Sequence, residues 1–255
     1  MIARWLALLA VLALATGAVD PNDPFKAATI VEKTGAAIPL DTRLIDAAEQ
    51  ATTLRRIAAG KPLLITPVQH ECPNICGVTL AGIASAIDGQ AKYKPGRDFA
   101  IVALGIDPRE GPAQARDDLR RLSAQRPNAT WQPIALTGSS KPVTDALGYR
   151  YAWSDQLRQY AHLSATAVLT PDGKLSAWLY GLSPTPAQLD TALAQATAGR
   201  TGGIMQQLLL LCFHYDPQTG RYSLAITEAL RLAGIATVLL IGLAILLLSC
   251  RRRTA

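Results

Sequence analysis

Residues 62–87 read PLLITPVQHECPNICGVTLAGIASAI, and the architecture is decided within this stretch. Pro62 to Val68 is an apolar run with the length of a buried strand, and Pro67 marks its end or a bulge. After the two cysteines, Val78, Leu80, Ala81, Ile83, Ala84 and Ile87 recur at the spacing of a helix packed on a sheet. A buried strand thus turns through Cys72-Pro73-Asn74-Ile75-Cys76 into an amphipathic helix. In open α/β sheets, ligand chemistry collects at the carboxyl end of such a strand.

Further along, Phe99 to Ile106 (FAIVALGI) is a second buried strand, closed by Asp107 and Pro108. Pro112 to Gln125 is a charged amphipathic helix with proline in its first turn, and Trp131 to Leu136 is a third strand. Lys141 to Leu147 forms a short helix ending before Gly148. Ala165 to Thr170, Pro171-Asp172-Gly173 and Lys174 to Tyr180 spell a β-hairpin, and Thr185 to Thr197 is the last helix. Upstream, Asp20 to Lys61 is mixed and polar, and Ala36 to Leu40 is its candidate for an added edge strand. Parallel strands joined by helices, with an antiparallel hairpin at one edge, make an α/β, thioredoxin-like domain over residues 30–200.

The two ends read as topology. Met1 to Arg4 is short and basic, Trp5 to Ala15 is apolar, and Thr16, Gly17 and Ala18 are small, which is the order of a signal peptide over residues 1–18. An uncleaved anchor is the alternative. Residues 232–250 hold no charged side chain and would reach about 28 Å as a helix, close to the hydrocarbon thickness of a bilayer. Arg251, Arg252 and Arg253 follow, so 251–255 is expected in the cytoplasm and the main domain in the periplasm, tethered to the inner membrane. Residues 201–231 form the juxtamembrane linker. Much of the net charge of +6 belongs to these flanks. Without Arg4, Arg231 and the three terminal arginines, 20 basic residues face 19 acidic ones, and no basic stripe interleaved with aromatics argues for nucleic acid.

Four cysteines occur, at 72, 76, 212 and 250. In an oxidising compartment Cys72 and Cys76 are a disulfide, a redox pair or metal ligands. The reading places Cys72 near the helix N-cap and Pro73 at the first helical position, where the helix dipole favours a thiolate. Cys76, four residues on, puts a second sulfur on the same side. Three residues separate the pair where redox motifs of the thioredoxin type have two. Paired thiolates suit Cu(I) or zinc, and need a third donor. His162 precedes the hairpin, in a loop that a thioredoxin-like layout brings to the first strand–helix turn; a surface or capping histidine is the alternative. His70 is either another donor or a solvated loop residue. Cys212 and His214 form a Cys-x-His in the linker, a candidate second metal site or simply juxtamembrane packing, and Cys250 reads as a small apolar residue.

Gly60-Lys61-Pro62-Leu63-Leu64, the Cys72–Cys76 turn and His162 nine residues before Pro171-Asp172-Gly173 resemble the SCO/SenC copper-chaperone family. Trp178-Leu179-Tyr180-Gly181 and the run Cys212-Phe213-His214-Tyr215-Asp216-Pro217-Gln218-Thr219-Gly220 resemble its bacterial branch with a C-terminal membrane anchor. The resemblance implies a thioredoxin-like fold in which Cys72, Cys76 and His162 bind a copper ion. It also implies assembly of the dinuclear copper centre of cytochrome c oxidase, whose copper subunit would be the partner, with a periplasmic copper donor or thiol reductant upstream. Gly77 stands where better-known members have proline, and Ala161 where many have an acidic residue that could orient the histidine. The leading expectation is a metallochaperone rather than an enzyme. The alternative is a thiol–disulfide reductase using Cys72 and Cys76 on the oxidase cysteines or another periplasmic disulfide. A copper or redox sensor signalling through the membrane helix would have few cytoplasmic residues to work with.

Overall fold

A β-strand turns successive side chains to opposite faces, and the central strands here are apolar at every position, so both of their faces need cover. The computed structural model describes residues 27–72, 76–202, 215–216, 221–222, 232–239 and 241–242, without the side chains of Cys76, 215–216 and 221–222. In chain order the elements begin with β1 (Thr29–Ile30), β2 (Leu44–Asp46), β3 (Ala51–Thr52), α1 (Leu54–Ala58), β4 (Leu63–Val68) and α2 (Cys76–Asp88). Then come β5 (Ala100–Gly105), α3 (Pro112–Gln125), β6 (Ile134–Thr137), α4 (Lys141–Leu147), β7 (Tyr149–Arg150), β8 (Ala152–Ser154) and β9 (Gln159–Ala161). The domain closes with β10 (Ala165–Leu169), β11 (Leu175–Tyr180) and α5 (Pro186–Thr197).

Seven strands form one sheet in the order β11-β10-β4-β5-β6-β2-β3. β4, β5 and β6 run parallel, and β10 and β2 flank them antiparallel. Leu63, Ile65, Val102, Leu104 and Leu136 point into one core, which α1, α4 and the segment from Ile30 to Leu40 cover. Leu64, Ile101, Ala103 and Ala135 point into the other, beneath α2, α3 and α5. The expected α/β, thioredoxin-like layout is present, with the hairpin at the expected edge.

Pro67 does not end β4. It stays in register with Leu104 of β5, while β10 pairs with β4 only at Leu63, Leu64 and Ile65. The amide of Ala100 donates to Pro62 O and that of Ile106 to Val68 O, so even-numbered residues of β4 bond β5 and Pro67 faces the side where β10 has left. Its missing N–H is therefore not needed. The last helix starts where expected because Thr185 Oγ1 accepts from the Gln188 amide while Gln188 Oε1 accepts from that of Thr185.

The region from Asp20 to Lys61 carries more structure than expected within its described part. Its strands are only two or three residues long and its helix is little more than one turn. Ala36 to Leu40 adds no strand beyond a single bridge from Ala37 to Lys174. α2 is described from Cys76, and the expected placing of Cys72 near its cap and Pro73 at its first position turns on residues 73–75, which lie outside the described residues.

Among the described residues no helix is long and apolar enough to cross a membrane. Of the expected 232–250 span, 232–239 and 241–242 are described, as helix with exposed side chains. The signal segment 1–18, the tail 251–255, Cys212, His214 and Cys250 lie outside the described residues. Within 201–231, Tyr215–Asp216 pairs antiparallel with Arg221–Tyr222.

Candidate metal centre

The loop leaving β4 is held by side chains that sequence alone did not single out. Gln69 Oε1 accepts the Tyr160 amide at 3.0 Å, and Gln69 Nε2 reaches Asp107 Oδ2 at 3.4 Å. Glu110 accepts the amides of His70 and Glu71 on its two oxygens, at 2.9 and 2.7 Å. Arg121 donates to the His70 carbonyl, and the Cys72 amide donates to Gln69 O at 3.1 Å. The amides of His70, Glu71 and Cys72 and the carbonyls of Gln69 and His70 are thereby matched, as backbone drawn away from water requires. Burial pushes the Glu110 carboxyl up, and the two amides it accepts pull it back only in part. Asp107 sits below the usual carboxylate range because the Arg109 guanidinium is hydrogen-bonded to it at 2.6 Å.

His70 is neither solvated nor a ligand. It is 1% exposed, with Nδ1 2.9 Å from Asp118 Oδ2 and Nε2 3.2 Å from the Leu136 carbonyl. Both ring nitrogens are thus spoken for, which corrects both expectations for this residue. Gly105 makes room for the ring, since a Cβ there would lie 3.0 Å from His70 Cδ2 and Nε2. The sequence held one signal for this cluster. Asp118 falls on the same helix stripe as buried Ala115 and Leu122, where an apolar residue belongs.

Cys72 is half-buried against the core beneath α2, with Sγ 3.7 Å from Gln159 Oε1. Gln159 opens β9, the second strand of the β8–β9 hairpin, in which Trp153 pairs with Tyr160 and Arg109 covers the Trp153 ring at 4.2 Å. His162 follows β9 directly. Its Nδ1 lies 2.9 Å from Tyr149 Oη and 3.3 Å from the Leu163 carbonyl. Tyr149 Oη in turn donates to that carbonyl at 2.6 Å. The hairpin entry is tied to α2 by Thr79 Oγ1, which donates to Ser164 Oγ at 3.0 Å.

The structure brings Cys72 and His162 together. A thiolate at Cys72 is near enough to favour the protonated imidazole, but burial is the larger influence and lowers the His162 pKa below its ordinary value. Cys76 begins α2 next to this point; its side chain lies outside the described atoms. Among the described residues no three His, Cys, Asp or Glu side chains gather as a metal site, and Cys76 is not part of that count. Tyr149 had no signal in sequence, because only the fold carries β7 to residues 162 and 163.

Comparison with known proteins follows the same fold. A candidate electron transfer protein from Aquifex aeolicus VF5 superposes with a TM-score of 0.55 at 20% identity, over 65% of this chain and 95% of the other. A SCO1/SenC family lipoprotein from Bacillus anthracis gives 0.50 at 15%, over 66% and 95%. Arabidopsis thaliana ScoI, solved with copper bound, gives 0.49 at 22%, over 60% and 94%. A comparison with curated protein sequences gives no match. The family model described as SCO1/SenC matches residues 32–197, nearly the whole of the seven-stranded domain, and the chain belongs to that SCO1/SenC family.

Proposed function

We propose that this chain is a periplasmic, membrane-tethered copper metallochaperone that assists assembly of the dinuclear copper centre of cytochrome c oxidase. Proteins of the family take part in copper binding and in oxidase assembly. The observation that carries the reading is the approach of Cys72 to His162, residues far apart in sequence, at the carboxyl end of β4.

The donor chemistry fits copper. Cys72 would bind as a soft thiolate, Cys76 from the first turn of α2 would supply a second, and His162 an imidazole nitrogen, a set suited to Cu(I). Burial keeps the His162 ring in its neutral, lone-pair form near neutral pH. Cys72 stands on a loop fixed at Gln69, His70 and Glu71, so the site keeps its shape while a client ligand approaches the partly exposed sulfur. Export and tethering rest on the sequence of the two ends, a signal-like start and an uncharged run closed by three arginines. A tether would raise the local concentration of the site near a membrane-bound client.

The test is copper content and affinity under reducing conditions for the purified chain and for His162→Ala. Stoichiometric binding in the wild type that weakens in the variant is expected. No binding by the wild type, or equal binding by both, overturns the site; disulfide exchange by Cys72 and Cys76 in that case would favour the thiol reductase. Cells carrying Cys76→Ser should lose oxidase copper if the client is as proposed.

A further inference from the structure

Ala161 leaves His162 without an acidic neighbour in sequence, yet its ring is oriented. A phenol has one hydrogen. Tyr149 Oη lies 2.6 Å from the Leu163 carbonyl, which can only accept, so the hydrogen is directed there. The phenol oxygen then faces His162 Nδ1 as an acceptor at 2.9 Å. The second neighbour of Nδ1, the Leu163 carbonyl at 3.3 Å, is also an acceptor. Nδ1 must therefore bring the hydrogen to both contacts, and in the neutral ring Nε2 carries the lone pair.

Tyr149 is well placed to impose this. It is 1% exposed, its ring stacks on Trp178 with centroids 5.9 Å apart, and its backbone pairs with Ile30 of β1. Neither the ring nor its strand is at liberty to turn away.

We propose that Tyr149 is the positioning residue of the centre: its phenol, relayed from the Leu163 carbonyl, fixes His162 as the Nδ1–H tautomer and presents Nε2 as the metal-binding nitrogen. The copper part rests on the function proposed above; the tautomer part does not. The phenol is a neutral acceptor, so the ring is oriented without a further negative charge beside Cys72.

The test is the nitrogen-15 spectrum of the His162 ring in the metal-free chain, at a pH where the ring is neutral. The wild type should show Nδ1 protonated, and Tyr149→Phe, which keeps the stacked ring, should shift the population toward Nε2–H. Copper affinity of Tyr149→Phe should fall at least about tenfold, as for other partners that orient a metal-binding histidine, with a changed spectrum of the bound ion. A wild type already protonated at Nε2 overturns the proposal, and needs no variant to fold. An unchanged tautomer in Tyr149→Phe also overturns it, as does unchanged copper binding. If the wild type binds no copper while the tautomer behaves as described, the function fails and the positioning of His162 stands.

Discussion

Glu110, Asp118 and Arg121 hold the loop that carries Cys72, whereas Tyr149, the Leu163 carbonyl and the Thr79–Ser164 pair hold the one that carries His162. The first is a network of ionisable groups whose Glu110, Asp118 and His70 are buried; the second is a set of neutral ones in an aromatic cluster. Charge-assisted hydrogen bonds are strong and directional, which suits a turn that must keep a sulfur in place. A neutral hydroxyl orients an imidazole without adding charge, which suits a ring that has a thiol beside it. The two sides thus divide the work: one fixes position, the other fixes which nitrogen is offered.

Breaking the charged side should cost most. Asp118→Ala leaves the buried Nδ1 of His70 without its acceptor, and denaturant unfolding should show a loss of about 3 kcal/mol. A loss near zero would mean that the cluster does not hold the Cys72 loop.

Gly82→Ala strikes the join between α2 and the hairpin. A Cβ there would lie 1.9 Å from the Leu182 carbonyl, and Gly181 next to it donates to Ser164 O. The backbone must move, and a stability loss of about 2 kcal/mol is expected in the same measurement. A neutral result would show that α2 and the His162 side are not packed as described.

Glu110→Gln keeps one of the two acceptors for the His70 and Glu71 amides and should cost about 1 kcal/mol. Hydrogen exchange should rise at those two amides and stay unchanged at the Leu163 end. Equal loosening of both loops would mean that they are a single unit.

The smallest effect is that of pH. Burial lowers the His162 pKa from its ordinary value of 6.5, so below that pH the unfolded chain takes up a proton that the folded chain refuses. Stability of the metal-free chain should fall as pH drops below this value and level off once the folded-state pKa is passed. The raised pKa of Glu110 works in the opposite sense, adding stability as pH falls through its own folded value. Measured against His162→Gln, only the histidine contribution should vanish; an unchanged pH profile would contradict the burial of the ring.

Much of this molecule was legible before its structure. β4, β5, α3 and the β10–β11 hairpin announce themselves because long apolar runs, helical periodicity and Pro171-Asp172-Gly173 are local signals. The strands β2, β3 and β7 to β9 do not, since two or three residues hold no period and gain their form from neighbours distant in sequence. At the site, Cys72 and His162 were visible as residue types at a strand end and a hairpin entry. His70 was misread because its neighbours Gln69 and Glu71 are polar, a pattern that also belongs to a loop folded inward onto Asp118 and Glu110. Tyr149 was invisible because its hydroxyl has a role only once β7 lies beside Leu163.

In the proposed centre, two thiolates and one imidazole share a copper ion. X-ray absorption of the Cu(I)-loaded chain reads this directly. Two sulfur ligands and one nitrogen are expected, with the nitrogen lost in His162→Ala. A shell that lacks nitrogen, or one that His162→Ala leaves unchanged, would contradict it.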